Sequence, residues 1–151
     1  MKNTPSVYVT RPAEKIYLPA TLVLTILVFL PALFNGFTNW DDDVYVLNNP
    51  LIRDFSWDGI KALLFSYTGL GGTRLTLLNF LLDYQLFGLN PFFYHLENVI
   101  FHLFNVALVY WLFQRLFNRP LVSALTAVLF AVHPMHVESV AWVAERKDVL
   151  Y

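Results

Sequence analysis

The sequence predicts an all-α, polytopic membrane protein, and three observations carry that prediction. Hydrophobic residues make up 57% of the chain and charged residues only 14%, whereas about a quarter of a soluble domain is charged. The mean hydropathy is +0.52. No charge occurs from Ile16 to Trp40, so this first apolar run is long enough for a helix crossing a hydrocarbon core about 30 Å thick.

The elements follow in order. Residues 1–15 are polar and are expected to be a cytoplasmic tail, and Ile16 to Phe34 is the first predicted crossing. The run exceeds the apolar region of a signal peptide, and no small-residue cleavage pattern follows it. Lys2, Arg11 and Lys15 precede it, while Asp41, Asp42, Asp43, Asp54 and Asp58 outnumber Arg53 and Lys61 beyond it. The positive-inside rule therefore puts the N-terminus in the cytoplasm and residues 35–91 in an outer loop.

Within that loop Asn48-Asn49-Pro50 is a turn. Asp54 or Ser56 caps a short interfacial helix patterned by Trp57, Ile60, Leu63 and Leu64. Gly69, Gly71 and Gly72 form a break, after which Arg74 to Phe87 reads as a second juxtamembrane helix. Its Thr76, Asn79 and Asp83 recur at i, i+3 and i+7, a polar stripe that calls for a partner or an aqueous cleft. Trp40, Trp57 and Tyr67 read as interface anchors.

Gly88 ends this helix, and Asn90-Pro91 pairs a cap with proline at the first helical position. A second crossing over 92–117 runs inward to Arg115 and Arg119. His95, Asn98, His102 and Asn105 share one of its faces and should turn to other helices and hydrogen-bond there. Pro120 opens a third crossing over 121–143, whose apolar run ends at Val132. The polar hexad from His133 to Glu138 breaks or kinks it. That hexad and Glu145-Arg146-Lys147-Asp148 are expected on the outer side, beside the aspartates. At 151 residues there is room for about three crossings and one loop, so the chain reads as part of a longer protein.

A net charge of −1 gives no argument for nucleic acid, and the absence of cysteine excludes disulfides and thiolate chemistry. No phosphate loop, zinc-protease motif or nucleophile elbow occurs. What remains is the acidic cluster. Asp41-Asp42-Asp43 is either a solvated, orientation-setting loop, or it holds a general base beside a carboxylate that binds Mg2+ or Mn2+ through hard oxygens. Asp148 and Glu138 are the further candidate ligands for such a divalent cation. Arg74 and Arg146 could neutralise a phosphate at the bilayer surface. His133 and His136 could hydrogen-bond the same anion or be satisfied at the helix break; no third ligand of suitable spacing makes them a zinc site.

The stretch from Phe37 to Pro50, with Trp40-Asp41-Asp42-Asp43 at its centre, resembles the first outer loop of bacterial and animal tetratricopeptide-repeat membrane proteins classed as O-mannosyltransferase-like. Leu82 to Pro91 with Tyr94-His95-Leu96, then His133 to Val140 with Glu145 to Asp148, resemble the next two blocks in the same order. The resemblance implies a partial C-type glycosyltransferase fold with two juxtamembrane helices. It implies a polyprenyl-phosphate-linked sugar donor and inverting transfer to a protein Ser/Thr hydroxyl on the periplasmic or lumenal side. By position the paired acids are Asp41 and Asp42, one of them the base, and the later acid is Asp148. Arg74 matches an arginine opening the second juxtamembrane helix, often followed by proline where this chain has Leu75. The membrane expected is a bacterial inner membrane, with the acidic loop periplasmic. The rival reading is a non-catalytic anchor or an inactive relic, in which the acids serve topology alone.

Overall fold

A computed structural model describes residues 15–65 and 74–150. The tail charges Lys2 and Arg11, the glycine break at Gly69, Gly71 and Gly72, and Tyr67 lie outside the described residues.

Helix α1 (Tyr17–Phe29) tightens into a 3-10 turn over Leu30–Phe34. Pro31 causes the change, because its ring occupies the place of a backbone donor. Thr21 and Thr25 are its buried polar residues, and their hydroxyls donate to the carbonyls of Tyr17 and Thr21 one turn back. Val23 and Leu27 stay exposed, as side chains facing lipid would. Together Tyr17–Phe34 forms one membrane-length apolar helix and α4 (Pro91–Phe117) forms another.

Between them the described parts of the loop are structured. It turns through a π-helical segment, Asp43–Leu47, and a 3-10 turn, Pro50–Ile52. Next comes α2 (Trp57–Phe65), capped by Ser56, whose Oγ accepts from the Gly59 N–H at 3.0 Å. Asp54 instead accepts from the Ser56 N–H, closing the turn before the cap. Gly59 is obligatory here, because a Cβ at that position would meet the Asp54 carbonyl at 2.4 Å. Helix α3 (Arg74–Phe87) ends at Gly88, whose φ is +60°. Val46, Ile52, Leu63, Leu77, Phe80, Leu81, Tyr94 and Val143 bury one another into a core at the head of the bundle.

Helix α4 starts on Asn90, whose side chain accepts from the Phe92 N–H, and stops at Asn118 in the left-handed region. Helix α5 (Pro120–Ala131) returns against it, and the small Ala127 and Ala131 pack with Val106 so that the backbones approach closely. After His133-Pro134, α6 (Met135–Ala141) departs from α5 by 66°. Helix α7 (Arg146–Leu150) then lies against α3, α4 and α6. The architecture is all-α, with no strand among the described residues.

Candidate functional site

The site is built where the first loop meets the broken helix. The α4 stripe makes this possible. The Asn98 amide donates to the Trp142 carbonyl at 3.0 Å, and the Asn105 amide to the Val149 carbonyl at 2.8 Å. A His102 ring nitrogen pairs with the Ala131 carbonyl at 3.0 Å. These are backbone groups freed at the ends of α5, α6 and α7, and polar side chains of a neighbouring helix are the usual means of satisfying them in lipid.

The loop is tied to the same place by Asp42, which is fully buried. Its Oδ2 accepts from the Thr38 N–H (2.8 Å) and hydroxyl (3.1 Å), and its Oδ1 accepts from the Ala144 N–H (2.8 Å). With both oxygens engaged, Asp42 is a strut between the loop and the α6–α7 connection. Asp41 is only half-buried, and its carboxylate has no hydrogen bond or ion pair among the described residues.

Arg146 is placed differently from the sequence expectation of a phosphate-binding cation. It is fully buried, with its Nε donating to Asn98 at 2.7 Å and its Nη2 to the Tyr94 carbonyl at 2.8 Å. Its Nη1 faces Asn79, Asp83 and Glu97. The guanidinium also lies over the Phe80 and Tyr94 rings, at 4.5 and 5.6 Å. Every nitrogen has an internal acceptor, so none is turned toward a ligand. Arg146 is the partner of Asn79 and Asp83 in the α3 stripe, while the Thr76 hydroxyl is buried with no partner among the described residues. Burial pushes the Asp83 carboxyl up to about 7 against the pull of Arg146, and the second carboxylate at Glu97 adds to the rise.

The other expected residues do not converge. Arg74 is exposed at the start of α3. His133 is exposed and its Nδ1 accepts from the Met135 N–H at 3.2 Å, capping α6, while the half-buried His136 rests against Phe130, ring centroids 4.4 Å apart. Asp148 accepts from the Ser139 hydroxyl at 3.1 Å, and Glu138 is exposed. Among the described residues no three His, Cys, Asp or Glu side chains assemble a metal-binding group. Among the described residues Asp148 and Glu138 therefore lack the further ligands that a resident cation needs.

What the fold does form is an open cleft of about 540 Å3 between the loop, α4 and α6, whose wall includes Thr38, Trp40, Asp42, His95, Glu138 and Trp142. The Trp40 and Trp142 rings stand 6.2 Å apart on it. Sequence reasoning included Asp42 and Glu138 but missed His95, Trp40 and Trp142 as cavity residues. His95 was visible as the first member of the α4 stripe. Trp142 sits in an apolar run with nothing local to mark it.

These features define a helical membrane protein with a ligand-sized, mostly apolar cleft at the head of its bundle, into whose wall a few polar side chains are set. No family model matches the chain, and no solved structure matches it. Among curated proteins it is 38% identical over 123 residues to Protein O-mannosyl-transferase TMTC1 of Mus musculus, a match covering 72% of this chain and 13% of the relative. It is 31% identical over 133 residues to Protein O-mannosyl-transferase tmtc2 of Xenopus laevis, covering 83% and 16%. Protein O-mannosyl-transferase TMTC3 of Mus musculus is 43% identical over 76 residues, 50% of this chain and 8% of the relative. The chain belongs to the O-mannosyltransferase-like membrane protein family that its motifs resemble, and it spans under a fifth of each of these relatives. The relatives are animal proteins, Caenorhabditis elegans included. That finding overturns the expectation of a bacterial inner membrane.

Proposed function

We propose that this chain supplies part of a protein O-mannosyltransferase with a C-type glycosyltransferase fold, which moves a hexose from a polyprenyl-phosphate donor to a Ser/Thr hydroxyl. The observation that carries this reading is the free Asp41 carboxylate beside the anchored Asp42, in a chain whose relatives are named as O-mannosyl-transferases. In this reading the acidic loop faces the lumen of a eukaryotic internal membrane, with the donor's phosphate held at the bilayer surface.

The residues divide the work. Asp42 fixes the loop, because its oxygens are taken by donors from Thr38 and Ala144. Asp41 keeps its lone pairs and takes the proton of the acceptor hydroxyl. The hydroxyl oxygen then bonds to the anomeric carbon from the face opposite the phosphate. The bond from that carbon to the phosphate oxygen breaks, and the electron pair leaves on the lipid phosphate. Arg146 is committed inside and cannot meet that charge, which leaves exposed Arg74, at the start of α3, as a candidate cation for it.

The test is mannose transfer from polyprenyl-phosphate mannose to a Ser/Thr peptide by the complete protein. Asp41→Asn is expected to lower transfer by about 10²- to 10⁴-fold, the usual worth of a general base, with the protein still folded. Transfer at the wild-type rate by Asp41→Asn would overturn the assignment and favour the anchor reading.

A further inference from the structure

The α4 stripe accounts for three of its four members and leaves one over. Asn98, His102 and Asn105 each hold a backbone carbonyl. His95 is 1% exposed, yet neither ring nitrogen has a hydrogen-bond partner among the described residues. The carbonyls of Gly36 and Ala141 are near enough to influence the ring but do not reach hydrogen-bond geometry. On another part of the wall, the buried indole N–H of Trp142 is also unpartnered. A buried polar group left unmade costs about 1–3 kcal/mol. Two such side chains line one cavity of about 540 Å3, within the usual range of small-ligand pockets.

We propose that this cavity binds a hexose ring, with His95 and Trp142 hydrogen-bonding its hydroxyls. This rests on the glycosyltransferase reading and names a site and its readers within it. A neutral imidazole offers one N–H and one lone pair, and an indole offers one N–H. Hydroxyls, which donate and accept, match that set. An anion does not, because among the described residues the charged members of the wall are Asp42 and Glu138, with no Lys or Arg. Glu138 is exposed, and its carboxylate has no partner among the described residues, so it remains an acceptor for a further hydroxyl. The Trp40 and Trp142 rings, 6.2 Å apart, add an aromatic surface for the carbon face of the sugar. A Ser or Thr acceptor brings a single hydroxyl and would leave the other groups unmet.

The test measures binding of polyprenyl-phosphate mannose and of bare polyprenyl phosphate to the complete protein in lipid nanodiscs. The wild type is expected to prefer the sugar-bearing lipid. His95→Phe and Trp142→Phe should each weaken that lipid by roughly 10-fold, the loss of one buried hydrogen bond, and leave the bare lipid unchanged. His95→Gln, which still donates and accepts, should retain part of the preference. Equal binding of the two lipids by the wild type overturns the proposal, as does a preference that survives His95→Phe. An equal loss for both lipids would mark His95 as structural, and a loss confined to acceptor-peptide binding would give the cavity to the acceptor; either result also overturns it. Asp41→Asn should keep the binding preference while losing transfer, so failure of the base assignment and failure of the cavity are read separately.

Discussion

Asp42 Oδ1 accepts a hydrogen bond from the Ala144 N–H at 2.8 Å, joining positions 102 residues apart in the sequence. The bond pins the first loop to the connection between α6 and α7. Asp42→Ala would leave the buried Ala144 N–H without an acceptor and release the exposed Thr38 donors to water, at a cost of about 1–3 kcal/mol. Asp42→Asn, which retains one acceptor oxygen, should lose less. Denaturant unfolding in mixed micelles measures both, and an unchanged midpoint for Asp42→Ala would contradict the strut.

Arg146 offers a larger effect. Replacing it by Met removes the cation from two carboxylates, and breaking a buried pair in this way typically costs about 3–5 kcal/mol. Arg146→Lys should rescue only part of the loss, because one ammonium cannot reach Asn98, Asp83 and the Tyr94 carbonyl together. Thermal unfolding of the three proteins reads the order, and equal stability of wild type and Arg146→Met would refute the cluster's structural role.

The same cluster predicts a pH dependence with a definite sign. The Asp83 carboxyl rises from 3.8 to about 7 on folding, so the folded protein binds a proton that the unfolded chain has released. The stability contributed is complete below pH 3.8 and is lost as pH rises through about 7. Relative to Asp83→Asn, which has no proton to lose, wild type should weaken between pH 5 and pH 8. Parallel unfolding curves across that range would show that the shift is absent.

Asn105→Leu tests the α4 stripe away from the cavity. Its amide bond to the Val149 carbonyl spans α4 and α7, and interhelical bonds of this kind contribute about 0.6–2 kcal/mol. A loss of about 1 kcal/mol with hexose binding intact is expected. A variant as stable as wild type would mean that the bond contributes nothing.

Topology is open to a separate measurement. An N-glycosylation acceptor placed near Arg53 should be modified in microsomal membranes, and one placed after Arg119 should not. The opposite pattern would reverse the orientation inferred from flanking charge.

What the sequence revealed was local. Charge-free length marks the helix Tyr17–Phe34, and Asn90-Pro91 marks the start of α4 because cap and proline act within one turn. The 3.6-residue spacing put His95, Asn98 and His102 on one face, and the fold buries all three. Pro134 announced the break. The site was less legible because its bonds are long-range. Arg146 sits in the run Glu145-Arg146-Lys147-Asp148, which resembles a solvated charged patch, while its partners Asp83 and Glu97 lie 63 and 49 positions away. The two neighbouring aspartates are chemically identical in sequence. Only the donors around Asp42 separate strut from free carboxylate.

The break after α5 has a bearing on where water reaches. Twelve residues of α5 rise about 18 Å at 1.5 Å per residue, in an apolar slab about 30 Å thick. An α5 that starts at the cytoplasmic interface, as the flanking charges imply, would bring the His133 to Glu138 segment into the membrane below the plane of its far headgroups. A bilayer accommodates so short a segment by dimpling toward it. Such a dimple would let a hydrophilic polypeptide descend to a lipid's phosphate while the prenyl tail stays within its leaflet.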